Sequence, residues 1–154
     1  MNISWNTKTF NELTTLELFN ALKLRQSVFV VEQECPYPDI DEVDQIAMHL
    51  FGLNDSREII AYARLIKPGV SYQQASIGRV VISNELRGQR LGEKLMRYAL
   101  QEMNRLYPRQ AIKIGAQERL EKFYCDLGFT TTSEMYLEDD IPHIHMEFDY
   151  SNNR

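Results

Sequence analysis

The chain has 154 residues, 44% of them hydrophobic, and a formal net charge of −5 at pH 7. That length and apolar content suit one domain over 1–154 with a core of its own. The acidic balance excludes a nonspecific nucleic-acid binder, which needs clustered Lys and Arg, and the short, charge-broken apolar runs lead us to expect no membrane span or signal peptide, with a cytoplasmic location as the default.

A short strand is expected at 3–5. Thr14-x-x-Glu17 has the form of a capping box and opens a helix to about residue 28, with Leu18, Leu22, Arg25 and Phe29 on one stripe. An irregular stretch with Pro36 and Pro38 follows. Six acidic residues and no basic ones lie between Glu32 and Asp44, which reads either as a solvated loop or as a surface suited to a cation. Strands over 47–53 and 59–66 flank the turn formers Asn54-Asp55-Ser56-Arg57, and Lys67-Pro68-Gly69 ends the second.

A strand over 76–82 runs into Ser83–Gly92 and then a helix that Pro108 ends. Leu91, Leu95, Ala99, Met103 and Leu106 give that helix its apolar stripe, while Arg90, Glu93, Lys94, Arg97 and Glu102 take the outer face. A strand over 111–116, a short helix over 118–127 ended by Gly128, and strands over 129–135 and 143–148 complete the order. Ile144, Met146 and Phe148 alternate with His143, His145 and Glu147, so one face of the last strand is apolar and the other titratable. Cys35 and Cys125 have no metal or redox spacing and read as reduced thiols.

The junction at 83–92 is the strongest pointer to chemistry. A strand that turns into a helix aims unpaired N–H groups at one point, and the helix dipole adds positive character there, as a pyrophosphate requires. Gly88 and Gly92 admit close approach. Neither Gly-Lys-Ser/Thr nor Gly-x-Gly-x-x-Gly is present, so ATPase and dinucleotide loops lose their main support.

Arg87-Gly88-Gln89-Arg90-Leu91-Gly92, followed by Phe123-Tyr124-Cys125-Asp126-Leu127-Gly128-Phe129, resembles the GNAT N-acetyltransferase superfamily over nearly the full length. Leu24–Gln33, Cys35-Pro36-Tyr37, Asp39-Ile40-Asp41 and Ile141-Pro142-His143 are similar to its ElaA-like branch. The sequence departs from the superfamily pattern at Arg90, where glycine is usual, and at Gln117, where many members carry asparagine. The resemblance implies an α/β (α+β) fold with a mixed, mostly antiparallel sheet of about six to seven strands, helices on both faces and a central strand-helix acetyl-CoA loop.

It further implies acetyl-CoA as cosubstrate, with no metal, and acetyl transfer straight to a primary amine. Val80, Val81, Ile82, Arg87, Gly88, Gln89, Arg90, Leu91, Gly92, Gln117 and Tyr124 would bind the cofactor, the strand edge pairing with its pantetheine arm. An N–H near Val81 would meet the oxyanion, and Tyr124 would protonate the departing sulfur. Candidate proton acceptors are Glu32, Glu34, His49 and His143. Two other readings stay open: a CoA-binding regulatory domain without catalysis, and a His143-x-His145 metal module. The partners expected are acetyl-CoA and a small or peptidic amine, with no nucleic acid or membrane, on a monomer or homodimer.

Overall fold

The computed structural model of the protein describes residues 2–153; Met1 and Arg154 of the expected domain lie outside them. The chain opens with β1 (Ser4–Thr9), and α1 (Thr15–Arg25) follows. Thr14 caps α1: its hydroxyl accepts from the Glu17 amide and the Glu17 carboxylate accepts from the Thr14 amide, which is the expected capping box. The helix does not stop near residue 28. It widens into a π-helical turn over Gln26–Glu32, which rotates the buried stripe so that Ala21, Arg25 and Val28 face inward.

After the short α2 (Val43–Ile46) come β2 (Met48–Leu53), β3 (Ile59–Ile66) and β4 (Ser76–Ile82), then α3 (Leu91–Leu106) and β5 (Ile112–Gln117). The short α4 (Glu121–Asp126) leads to β6 (Thr130–Thr131), β7 (Tyr136–Glu138) and β8 (Ile141–Phe148). Gly128, at φ 107°, ends α4 as expected: its amide reaches the Cys125 carbonyl and the Phe129 amide reaches the Tyr124 carbonyl, the paired bonds of a Schellman motif.

Of the strand expected over 129–135 only Thr130–Thr131 forms, as β6, and β7 begins beyond it at Tyr136. The Ser133 hydroxyl takes the His145 amide, interrupting the ladder after β6. β7 then pairs with β8 through a turn at Asp139 and Asp140, both at positive φ (49° and 63°), as a two-residue hairpin of this hand requires. Eight strands result among the described residues, where about six to seven were expected.

Those strands form two sheets, β1-β2-β3-β4 and β5-β8-β6 with β7 on β8. β3 is buried along its whole length: Ala61, Ala63 and Leu65 pack toward Leu95, Met96 and Ala99 of α3, while Tyr62 belongs to a second cluster with Ala21 and Val28. Helices therefore cover both faces. Among the described residues the backbones of the two sheets are bonded where β4 and β5 begin, through the parallel bridge Ala75–Ile112 and the Lys113 amide on the Ala75 carbonyl at 2.9 Å. Beyond that hinge β4 and β5 part, leaving a wedge between two strand edges.

Candidate active site

The wedge is a cleft of about 1070 Å³. Val80, Val81, Ile82, Arg87, Gly88, Arg90, Leu91, Gly92, Gln117, Tyr124, Glu32 and His143 all line it, so the structure gathers most of the residues singled out from sequence. Gln89 and His49 do not line it, nor does Glu34, an exposed residue just past the π-helical turn.

β4 supplies one wall. Arg79 and Val80 together stand opposite Ala63, a bulge with Arg79 in the left-handed region at φ 49°, so neither has a ladder partner. The Ser83 amide donates to the Ile60 carbonyl, and alternation along the ladder then turns Val81 toward Tyr62 and Ile82 away from β3. The N–H groups near Val81 that point away from the β3 ladder thus belong to its neighbours Val80 and Ile82.

The turn after β4 forms the second part. Among the described residues, no acceptor is bonded to the amides from Gly88 to Glu93, and α3 starts without a side-chain cap. Gly88 sits at φ 83° with open space around it. Gly92 has a packing reason as well: a β-carbon there would come within 3.0 Å of the Ile82 side chain and 3.5 Å of Phe123. Arg90 occupies the left-handed region itself, at φ 59° and ψ 23°, so it adopts the backbone for which glycine is usual.

Arg87 and Glu32 face each other across the cleft mouth in a two-point ion pair, Nη1–Oε1 2.6 Å and Nη2–Oε2 2.5 Å. The Arg87 hydrogen bond holds the Glu32 carboxyl below the usual carboxylate range. Arg119, which sequence reasoning did not single out, lines the same mouth and donates from Nε to the Gln117 Oε1 at 3.1 Å. The Gln117 amide in turn reaches Gln33 Oε1 at 3.3 Å. Its nearness to Gln117 in sequence was the only available sign of Arg119.

Tyr124, on α4, is 6% exposed and makes no side-chain hydrogen bond among the described residues. Burial pushes its phenol up to about 12, so it keeps its proton at neutral pH. His143 is 8% exposed; its Nδ1–H donates to the Ile141 carbonyl at 2.7 Å, and its Nε2 lies 3.3 Å from Glu138. His145 shares its strand face, but among the described residues no group of three or more His, Cys, Asp or Glu gathers as a metal site would need.

His49 is a different case. It is 1% exposed, its Nε2–H donates to the Asp44 carbonyl (2.8 Å), and its Nδ1 accepts from the Tyr62 hydroxyl (2.6 Å). Burial lowers its pKa, and both nitrogens are occupied beneath α2, away from the cleft. Its candidacy as a proton acceptor is withdrawn on that geometry.

The acidic stretch is likewise no open cation surface. Arg25, 1% exposed, bonds Asp39 from Nε (2.9 Å) and Asp44 from Nη1 (2.6 Å). Arg64 bonds Asp41 and Asp44 at 2.7 and 3.0 Å, and Arg79 pairs with Asp39 at 2.8 Å. Three guanidinium groups thus neutralise three of the six acids, and Arg87 neutralises Glu32.

A wedge between parallel strands that part from a common hinge, a bulged inner edge, and a helix N-terminus rich in free amides thus meet in one cleft. The chain belongs to the GNAT acyltransferases: residues 20–150 match the family described as "Acetyltransferase (GNAT) domain". Within that family it is ElaA-like. It is 40% identical to Protein ElaA of Escherichia coli over 146 residues, 94% of this chain and 95% of that protein. The crystal structure of Escherichia coli ElaA superposes with a TM-score of 0.89 at 39% identity, covering 96% of this chain and 100% of that one. An acyl-CoA N-acyltransferase from Pseudomonas aeruginosa superposes at 0.90 with 43% identity, covering 96% and 99%.

Proposed function

We propose that the protein is an acetyl-CoA-dependent N-acetyltransferase of the cytoplasm that moves the acetyl group directly to a primary amine. The observation that carries this reading is the coincidence, in one cleft, of the free amides of Gly88 and of Arg90 to Glu93, at the turn into α3, with the unpartnered hydroxyl of Tyr124. The amides, with Arg87, Arg90 and Arg119 around them, suit a pyrophosphate. The inner edge of β4 at Val80 and Ile82 suits the peptide-like arm that joins pyrophosphate to thioester. A thioester carbonyl lying against the bulge would meet an N–H there as its oxygen gains charge.

Attack by the amine forms the C–N bond and breaks the C–S bond, and the Tyr124 hydroxyl delivers a proton to the leaving sulfur. Its raised pKa keeps that proton available throughout the physiological range. No covalent enzyme intermediate is required. Cys125 follows Tyr124 on α4 but does not line the cleft, whereas proximity alone supplies a large rate factor.

The test pairs calorimetry with turnover. Desulfo-CoA should bind the parent and the Tyr124→Phe variant equally, while free-thiol release from acetyl-CoA in the presence of amine falls about 100-fold in the variant. Unchanged turnover removes the acid role from Tyr124. Tight CoA binding without transfer to any amine supports a regulatory domain, and absence of binding overturns the reading altogether.

A further inference from the structure

Charged groups of both signs line the wedge, with Glu32 and Glu93 among the arginines and Arg79 on the wall formed by β4. Arg87, Arg90 and Arg119 gather where α3 and α4 begin, and the apolar side chains of β5, Ile112, Ile114 and Ala116, pack on that same face. Gly115 and Gln117 alternate to the other face, together with their cross-strand partners His145 and His143. On that face the acidic groups lining the cleft are Glu138 and Asp139 of the β7–β8 hairpin, while Lys113, two residues before Gly115 on β5, lies over the Tyr72 ring at 5.1 Å.

The hairpin holds these groups in a fixed relation. Tyr136 stands directly opposite His143 in the ladder and stacks on its ring at 5.9 Å with an interplanar angle of 29°. Tyr136 also contacts His145, at 4.7 Å between ring centroids. Glycine at 115 leaves room for this packing, because a β-carbon would lie 2.8 Å from the Tyr136 hydroxyl and 3.0 Å from that of Tyr72 and would make those side chains shift. The turn is tied to the opposite wall by the Cys35 thiol, 3.7 Å from the Asp139 carbonyl. With Nδ1–H fixed on the Ile141 carbonyl, neutral His143 has its lone pair on Nε2, the atom that faces Glu138 and can take a proton.

We propose that the β7–β8 hairpin is the acceptor-binding element, that Glu138 draws the acceptor in as a primary ammonium cation, and that His143 Nε2 takes its first proton. The inference rests on the acyltransfer reading above and names the substrate class of that site. The proton balance is complete. One proton passes from the ammonium to His143 and then to solvent; the neutral nitrogen attacks the thioester carbon. The second proton lost from nitrogen replaces the one Tyr124 gives to sulfur, so amide, free thiol and one released proton result. The titratable and charged groups on the elements packed about His143 are Tyr136 and Glu138 of β7, Asp139 of the turn, His145 of β8, Lys113 of β5, Arg119 bonded to its cross-strand partner Gln117, and Cys35 and Tyr72 from the neighbouring loops.

The experiment uses two amines of similar shape, n-propylamine, an ammonium at neutral pH, and trifluoroethylamine, which is neutral there. Glu138→Gln should raise KM for propylamine about tenfold while leaving KM for trifluoroethylamine unchanged. His143→Gln should lower kcat with propylamine about 100-fold and move the rate toward higher pH, where the free amine exists without help. Desulfo-CoA affinity, measured in each variant, reports an intact fold and cofactor site. Equal KM changes for both amines, an unaltered pH profile in His143→Gln, or no turnover of either amine by a parent enzyme that binds desulfo-CoA would overturn the assignment. Loss of desulfo-CoA binding by the parent would instead defeat the acyltransfer reading beneath it.

Discussion

Replacing Arg90 by glycine should make the protein more stable and a poorer binder of acyl-CoA. Arg90 holds φ 59° and ψ 23°, where a side chain bearing a β-carbon costs about 1–2 kcal/mol. Glycine removes that strain but loses more chain entropy on folding, about 0.5–1 kcal/mol. No ion pair or side-chain hydrogen bond of Arg90 occurs among the described residues, so little else changes in the ligand-free protein. The net gain is roughly 0.5–1 kcal/mol, equivalent to about 1–4 °C in Tm for a chain of this length. At the pyrophosphate site, the same change removes an exposed cation, so Kd for desulfo-CoA should rise about threefold at low salt and converge with the parent at high salt. Thermal unfolding without ligand and calorimetry at two ionic strengths test both halves. A lower Tm would refute the strain argument; tighter binding would mean that the side chain obstructs the loop instead of serving it.

Glu32→Gln should tighten desulfo-CoA binding about threefold, because pyrophosphate then no longer competes with a carboxylate for Arg87; weaker binding in calorimetry would show that Glu32 holds Arg87 in its working position. Asp44→Asn should destabilise the protein by about 3 kcal/mol in urea titration, since it leaves Arg25 and Arg64 buried without that shared charge. Burial pushes the Asp44 carboxyl up, but Arg25 and Arg64 outweigh it and hold it below its ordinary value. The stability it contributes is therefore full above the unfolded-state pKa and lost as pH falls through the folded one, so the variant's deficit should shrink in acid below about pH 4. His49, also depressed, loses stability as pH falls below its unfolded value of about 6.5, and His49→Gln should flatten the Tm profile between neutrality and mild acid. An unchanged slope would mean that another group titrates there.

The parts of this molecule that could be read from sequence are those whose cause is local. Thr14 and Glu17 announce a helix start because the capping box closes within one turn, and Leu91, Leu95, Ala99 and Met103 trace α3 because a repeat of four marks a buried stripe. β3 was visible as a run of apolar residues between turn formers. The β7–β8 hairpin escaped because its turn is Asp139-Asp140 with no glycine, and its first strand is only three residues long. The acidic stretch escaped for another reason. Its partners Arg25, Arg64 and Arg79 lie up to 40 residues away, and nothing in a charge pattern says which surface acids will be folded under arginines. The same holds for His49, whose pairing with Tyr62 depends on the register of two strands. The superfamily resemblance pointed to most of the residues that line the cleft, but it was silent about Arg119 and Glu138.

The hinge at Ala75 and Ile112 gives the wedge a thermodynamic character of its own. Along most of their length β4 and β5 are neighbours with a strand's worth of bonding left unmade between them, and water must satisfy those groups in the free protein. On the proposed cofactor reading, a peptide-like arm inserted there would complete one continuous sheet across both halves, so that occupancy and structural cohesion would rise together. At a ligand concentration 100 times Kd the added stability is about 2.7 kcal/mol. The free chain is then the softer form of the molecule, and its hydrogen-exchange pattern should identify the wedge edges as the amides that slow most when the missing strand arrives.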